Sequence, residues 1–510
     1  MTGRCDAVKS GEGNLARLDP VPATPDAVLA STKARLAAEL MRLGPVLEDL
    51  GARFAEAGHQ LALVGGPVRD AALGRHSPDL DFTTDARPDR IQRLLRAWGD
   101  ADWDIGRAYG TIGAQRGDVK VEVTTYRSEH YQQDSRKPDV QFGDSLAGDL
   151  GRRDFTVNAM AVELPSMTFV DLHGGLPDLV AKVLRTPGRP EDSFTDDPLR
   201  MMRAARFAAQ LGFTVVADVV AAMTAMAGRI EIVSAERVRD ELTKLILAPR
   251  PRPGLELLVE TGLAAHVLPE LPALRLEIDE HHRHKDVYEH SLTVLDQAIE
   301  LEDGPDGEVP GPDLVLRLAA VLHDIGKPAT RRFSPDGGVS FHHHEGVGAR
   351  LAARRLAALR FDRNTIKQVS RLIELHLRFH GYGDGAWTDS AVRRYVVDAG
   401  PQLARLHKLT RSDCTTRNRR KAERLTAAYT DLEQRIARLR EQEELDSIRP
   451  DLNGNLIMEI LGVPSGPLVG RAYQYLRQLR LDRGPLGPEA AREELLRWWA
   501  AQPEHGQPPE

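Results

Sequence analysis

The chain has 510 residues, and at roughly 150 residues per domain about three or four domains are expected. Hydrophobic residues make up 41% and charged residues 28%, which excludes a collagen-like or globally disordered chain and points to a soluble globular one. Sixty-eight basic residues against 75 acidic ones leave a net charge of −7, which argues against a chain coated with positive charge for non-specific nucleic-acid binding.

Cys5 and Cys414 offer neither a disulfide framework nor a zinc site, so a reducing compartment, the cytoplasm, is expected. No run of about 18 apolar residues occurs, and the longest candidate, near Phe213–Gly228, is interrupted by Asp218. The N-terminus lacks the apolar stretch of a secretory signal.

Residues 1–25, rich in Gly, Pro and Asp, read as a flexible extension. Helical spacing follows to Gly58. The short apolar run Leu61-Ala62-Leu63-Val64 then ends in Gly65-Gly66 before a helix, and Asp79-Leu80-Asp81-Phe82-Thr83 alternates as a strand does. Arg87–Trp98 is helical, and Thr111–Gln115 with Val119–Thr125 forms a hairpin. From Asp171 almost everything reads as helix, broken at 186–190, 249–253, 302–312 and 381–385. The fold class is therefore α+β: a small mixed-sheet head over residues 26–170, then a mostly helical body divided at 171–275, 276–420 and 421–510.

Gly65-Gly66 after a strand lets backbone N–H groups approach a phosphate, with Arg69 one turn later as a charged fork. Asp79 and Asp81 leave one face of their strand together, and two carboxylates that close need a cation between them. Mg²⁺ with oxygen ligands and substrate phosphates fits that place, with Glu122 on the second hairpin strand as a third carboxylate. Glycine pairs and Asp-x-Asp are individually common. In strand–turn–helix–strand order they resemble the nucleotidyltransferase fold of the DNA polymerase β superfamily.

Two further runs follow. Arg152-Arg153-Asp154-Phe155-Thr156-Val157-Asn158 has the bland reading of a solvated helix start. Asp196-Asp197-Pro198-Leu199-Arg200 opens a helix with Asp197 as its cap, and Arg200, Arg203 and Arg206 fall along one side, as a surface stripe would.

In this order the four motifs resemble those of class II tRNA nucleotidyltransferases, the CCA-adding enzymes and their bacterial poly(A) polymerase relatives, over residues of about 60–275. Asp196 departs from the family's usual Glu. The resemblance implies that Asp197 and Arg200 read the incoming base. Cytosine and adenine each present an amino donor beside a ring-nitrogen acceptor, which an Asp acceptor beside an Arg donor matches. Uracil and guanine reverse that order, and each would leave a charged group facing a mismatched partner, at about 1–3 kcal/mol or more. The resemblance also implies that Arg153, Asp154 and Asn158 hold the ribose and that Arg203 helps with the triphosphate, with Arg206 in the same stripe. Its partners are CTP, ATP and the 3′ end of tRNA, with no membrane. Its cofactors are two Mg²⁺ ions, through which a 3′-hydroxyl attacks the α-phosphorus. The motifs do not separate full CCA addition from C-only, A-only or poly(A) addition.

Ten of the 17 histidines lie between residues 281 and 380. His281, His282, His284 and His290, then His323-Asp324 after the apolar helix Leu314–Leu322, then His342-His343-His344, His376 and Asp413 follow in order. Imidazole and carboxylate together suit a divalent metal, and the pattern resembles the HD phosphohydrolase superfamily. The ligands it implies are His290, His323, Asp324 and Asp413, with His344 and His376 beside them. An HD-type hydrolase as the main activity is therefore the rival reading. Farther on, Arg411, Arg417, Arg419, Arg420, Lys421 and Arg424 form a basic run, and Gly466 with Arg471 opens a helix suited to phosphate. This last part resembles the family's tRNA-contacting tail, which makes Arg417, Arg419, Arg420, Lys421 and Arg471 the expected RNA-binding residues.

Overall fold

A computed structural model describes residues 24–130, 139–143, 145–276, 286–304, 307–333, 339–382, 387–416, 418–443 and 449–502. The extension at 1–23, His281, His282, His284 and Arg417 lie outside them. The chain divides into two compact units, one of Met1–Glu129 with Val140–Gly188, the other of His130–Asp139 with Arg189–Glu510.

The first unit begins with the long helix α1 (Pro25–Glu56), whose start Thr24 caps by accepting a bond from the Ala27 N–H. Then come β1 (Leu61–Val64), α2 (Gly66–Ala72), β2 (Asp79–Thr84), α3 (Pro88–Arg96), β3 (Ala101–Trp103), β4 (Thr111–Arg116) and β5 (Val119–Thr125). After β6 (Arg127–His130), β7 (Asp139–Phe142) and α4 (Leu146–Gly151), β8 (Met160–Leu164), β9 (Thr168–Asp171) and α5 (Gly175–Ala181) complete it. Seven of these strands form one sheet in the order β3-β4-β5-β2-β1-β8-β9. All neighbours run antiparallel except β2 and β5, which are parallel. Alternation along β2 buries Leu80 and Phe82 and leaves Asp79 and Asp81 open. Leu47, Leu50 and Phe54 of α1 are fully buried, and Gly51 lets that helix approach β8: a Cβ there would lie 2.9 Å from Leu164 Cβ.

The second unit is helical. It runs through α6 (Pro190–Asp196), α7 (Leu199–Leu211), α8 (Ala217–Met226), α9 (Ala235–Ile246), α10 (Arg252–Glu260) and α11 (Leu263–Val267). Next are α12 (Val287–Glu300), α13 (Leu314–Leu322), the short α14 (Lys327–Thr330), α15 (His344–Ala358), α16 (Arg363–Leu375), α17 (Asp389–Ala399) and α18 (Leu403–Ser412). It ends with α19 (Arg419–Glu443), α20 (Gly454–Leu461), α21 (Pro467–Arg483) and α22 (Pro488–Ala500), the last three sharing a core of Leu452, Ile457, Leu476 and Leu495. Among the described residues no helix is long and apolar enough to cross a membrane.

Candidate functional site

In the first unit the β1 run turns at Gly65, whose φ of +74° favours glycine. A side chain there would also collide with Arg153, since its Cβ would sit 2.8 Å from the guanidinium. The Gly65 N–H is already bonded to the Met160 carbonyl (3.3 Å), so it is not free for a phosphate. Arg69 corrects the expectation of an open phosphate fork. It is buried, grips Asp70 through Nε and Nη2 (3.0 and 2.9 Å) and donates from Nη1 to Asn158 Oδ1 at 2.6 Å. Asn158 in turn donates to Asp154 Oδ1 (2.9 Å), which also accepts from the Phe155 N–H. Far from being a solvated helix start, Asp154-Phe155-Thr156-Val157-Asn158 is buried throughout.

The strand register sets Asp81 directly across from Glu122, with Asp79 two residues away on the same face. Asp81 is open on one side, yet the protein packed around its carboxyl and the charge of Glu122 push its pKa up to about 6; Asp79 adds to this and Arg153 opposes it. Carboxylates suit a hard, oxygen-ligated cation, but these three are not among the groups of described residues whose ligand atoms all lie within 4.8 Å of one another. The sequence reading missed Asp149. Its side chain has no exposed surface and bridges Arg152 (2.7 Å) and Arg153 (3.1 Å). Burial would raise its pKa, but Arg153 and Arg152 outweigh that and hold the carboxylate below its ordinary range. An acid three and four residues before two arginines was the available signal.

In the second unit the cap position of α7 is Pro198, not Asp197; Asp197, one residue earlier, accepts from the Leu199 N–H at 3.0 Å, and its other oxygen accepts from Arg237 Nη2 at 2.9 Å. Arg200 is buried and donates to Ser193 Oγ at 2.9 Å. The arginines are not a surface stripe. Arg206 is buried on Glu241 (2.6 Å) with its guanidinium 3.9 Å from the Phe207 ring centre, and Arg203 reaches the same carboxylate at 3.7 Å. Arg237 and Glu241, four residues apart on α9, were missed; that i,i+4 spacing puts both on one helix face.

The second unit also gathers the histidines. His290 Nε2 lies 2.9 Å from Asp413 Oδ1 and 3.3 Å from His323 Nε2. Asp324 faces His323 through one oxygen and His344 through the other, both at 3.2 Å, and Lys327 Nζ at 2.8 Å. His323, His344 and His376 each turn Nδ1 to a backbone carbonyl at 2.7–2.8 Å, which fixes the tautomer and aims Nε2 inward. Two sets of donor atoms, His290/His323/Asp413 and Asp324/His344/His376, each lie within 4.8 Å of one another. His376 Nε2 is buried without a hydrogen-bond partner among the described residues, and it lies in the second donor set, which leaves it available to a ligand. Burial would lower the pKa of His323, but Asp324 and Asp413 raise it to about 9; burial and the charge on His323 lower His376 to about 3. Gly326 is tight here: a Cβ would meet the His344 carbonyl at 2.1 Å. Of the expected tail residues, Arg419 pairs with Glu423 (3.0 Å), and Arg420, Lys421 and Arg471 are exposed.

Three family models match in succession: "Poly A polymerase head domain" over residues 61–185, "Probable RNA and SrmB- binding site of polymerase A" over 212–274, and "HD domain" over 287–438. An A-adding tRNA nucleotidyltransferase of Deinococcus radiodurans is 34% identical over 448 residues, covering 86% of this chain and 95% of that enzyme. The chain belongs to the tRNA nucleotidyltransferase family. A CCA-adding enzyme of Levilactobacillus brevis is 44% identical over 209 residues, 41% of this chain and about half (51%) of that enzyme. The fold is that of the Bacillus stearothermophilus CCA-adding enzyme solved in complex with CTP (TM-score 0.64, 22% identity, 89% of this chain and 97% of that one). The Thermotoga maritima CCA-adding enzyme complexed with tRNA is also similar in fold (TM-score 0.57, 18% identity, 92% and 98%).

Proposed function

We propose that the chain completes or repairs the 3′-terminal CCA of tRNA from CTP and ATP, releasing pyrophosphate, in the cytoplasm. The register that sets Asp81 beside Glu122, with Asp79 on the same face, carries this reading. Asp79, Asp81 and Glu122 would hold Mg²⁺, which when bound neutralises phosphate charge and lowers the pKa of the attacking hydroxyl. Asp197 accepts from the exocyclic amino group of the incoming base and Arg200 donates to its ring nitrogen, so CTP and ATP are admitted and UTP and GTP refused. Arg237 pairs with Asp197, and Glu241 anchors Arg203 and Arg206 behind that surface. In the first unit the Arg69–Asn158–Asp154 chain keeps the ribose-facing groups in place.

A second reading, addition of A alone, is favoured by the Deinococcus relative's near full-length match. Product lengths separate the two. With tRNA lacking all of CCA, CTP and ATP together should give C, C and A in turn, whereas an A-adding enzyme extends only tRNA already ending in CC. Replacing Asp79 and Asp81 by Ala should abolish addition, and normal addition by that variant would overturn the assignment. In the second unit His290, His323, Asp324, Asp413, His344 and His376 would hold divalent metal for a separate phosphoester hydrolysis.

A further inference from the structure

The helical hairpin α15–α16 carries seven basic residues between positions 350 and 371, and none of the motifs above includes them: Arg350, Arg354, Arg355, Arg360, Arg363, Lys367 and Arg371. Two of the seven are paired, Arg355 with Glu270 (2.9 Å) and Arg371 with Glu374 (2.7 Å). The other five are exposed and form no ion pair among the described residues. Some exposed arginines elsewhere have a carboxylate partner, as Arg42, Arg96 and Arg116 do. The one acid in the turn, Asp362, is occupied in capping α16 through the Asn364 and Thr365 N–H groups (3.0 and 2.9 Å).

Arg350 and Arg354 are one turn apart on α15, and Arg363 and Lys367 one turn apart on α16, so each helix shows its pair on a single face. Phe361, the hairpin's aromatic residue, is buried, so the surface offers charge without a stacking platform for bases. The hairpin is also tied twice to the segment matched as a probable RNA-binding site. Arg239 Nη1 donates to the Arg360 carbonyl at 2.7 Å, and Glu270 receives Arg355.

We infer that Arg350, Arg354, Arg360, Arg363 and Lys367 form a phosphate-binding surface for the backbone of a structured RNA stem, continuous with the 212–274 segment. The inference rests on the reading of the chain as a tRNA-extending enzyme. The surface reads charge and not sequence.

The test uses the full chain carrying Arg350→Gln, Arg354→Gln, Arg363→Gln and Lys367→Gln together, with tRNA lacking CCA as the probe. Each lost phosphate contact should reduce the slope of log affinity against log salt by about 0.7–0.9, so four contacts reduce it by about 3. The KM for tRNA should rise at least tenfold, with the KM for ATP and kcat at saturating tRNA unchanged. Lysine at the three arginine positions should restore the slope. An unchanged slope and KM in a variant that still adds nucleotides would overturn the inference while leaving the proposed function standing. Loss of binding to anionic phospholipid vesicles with tRNA binding intact would also overturn it. If the unaltered protein adds nothing to any tRNA, it is the functional reading that fails.

Discussion

Asp149 is a carboxylate without exposed surface between two guanidinium groups, one of which reaches over Gly65 and acts on Asp81. Removing its charge takes from two guanidinium groups the carboxylate they share and puts a buried amide in its place. Asp149→Asn should therefore destabilise the protein by about 3 kcal/mol, seen as a lower denaturant midpoint. His407 supplies part of the pH dependence. Burial holds its ring at about 4 against an ordinary 6.5, so between those values the unfolded chain binds more protons. Through His407 stability should fall as pH drops from about 6.5 towards 4, and His407→Gln should make that stretch of the urea-midpoint profile measurably less steep, His376 contributing the same sign. At this scale the sequence was legible where geometry is local. Asp79 and Asp81 share a strand face by simple alternation, and Pro198 stands at the start of its helix with Asp197 just before it. Arg206 was misread as an open charge because its partner Glu241 stands 35 positions away; Arg69 was misread although Asp70 is its neighbour, because its second partner Asn158 stands 89 positions away.

Among the elements, helix α13 is bounded at Leu314 and Leu322 as its apolar run predicts, since a capping Asp313 and the His-Asp that follows punctuate it locally. The parallel pairing of β2 with β5 was not legible. It joins residues about 40 positions apart, and no turn motif specifies it. Yet that pairing brings Glu122 to Asp81. Gly326 shows how little room an element boundary can leave: the turn after Asp324 presses on α15 so closely that one added methyl must displace the His344 backbone. Gly326→Ala should cost about 1–3 kcal/mol, and calorimetric titration with Mn²⁺ should show weakened binding, because His344 moves with its carbonyl.

For the whole molecule, a net charge of −7 says little about RNA, because the cations are distributed unevenly. The hairpin carries five exposed ones without an ion pair among the described residues, while others, such as Arg42, Arg116 and Arg419, are paired with neighbouring acids. The broad division into a mixed-sheet head and a helical body was visible in the change of hydrophobic period. How the helices share partners was not, since that depends on contacts between distant segments.

The histidine–carboxylate cluster draws its donors from α12, the end of α13, the start of α15, the residue after α16 and the residue after α18. A cation entering it is thus also a cross-link between five segments spread over more than a hundred residues. Its occupancy should be readable without any substrate: at a metal concentration 100 times the dissociation constant, the gain is about 2.7 kcal/mol. The melting temperature of the protein should therefore rank candidate ions by affinity, and serve as a gauge of what the site holds.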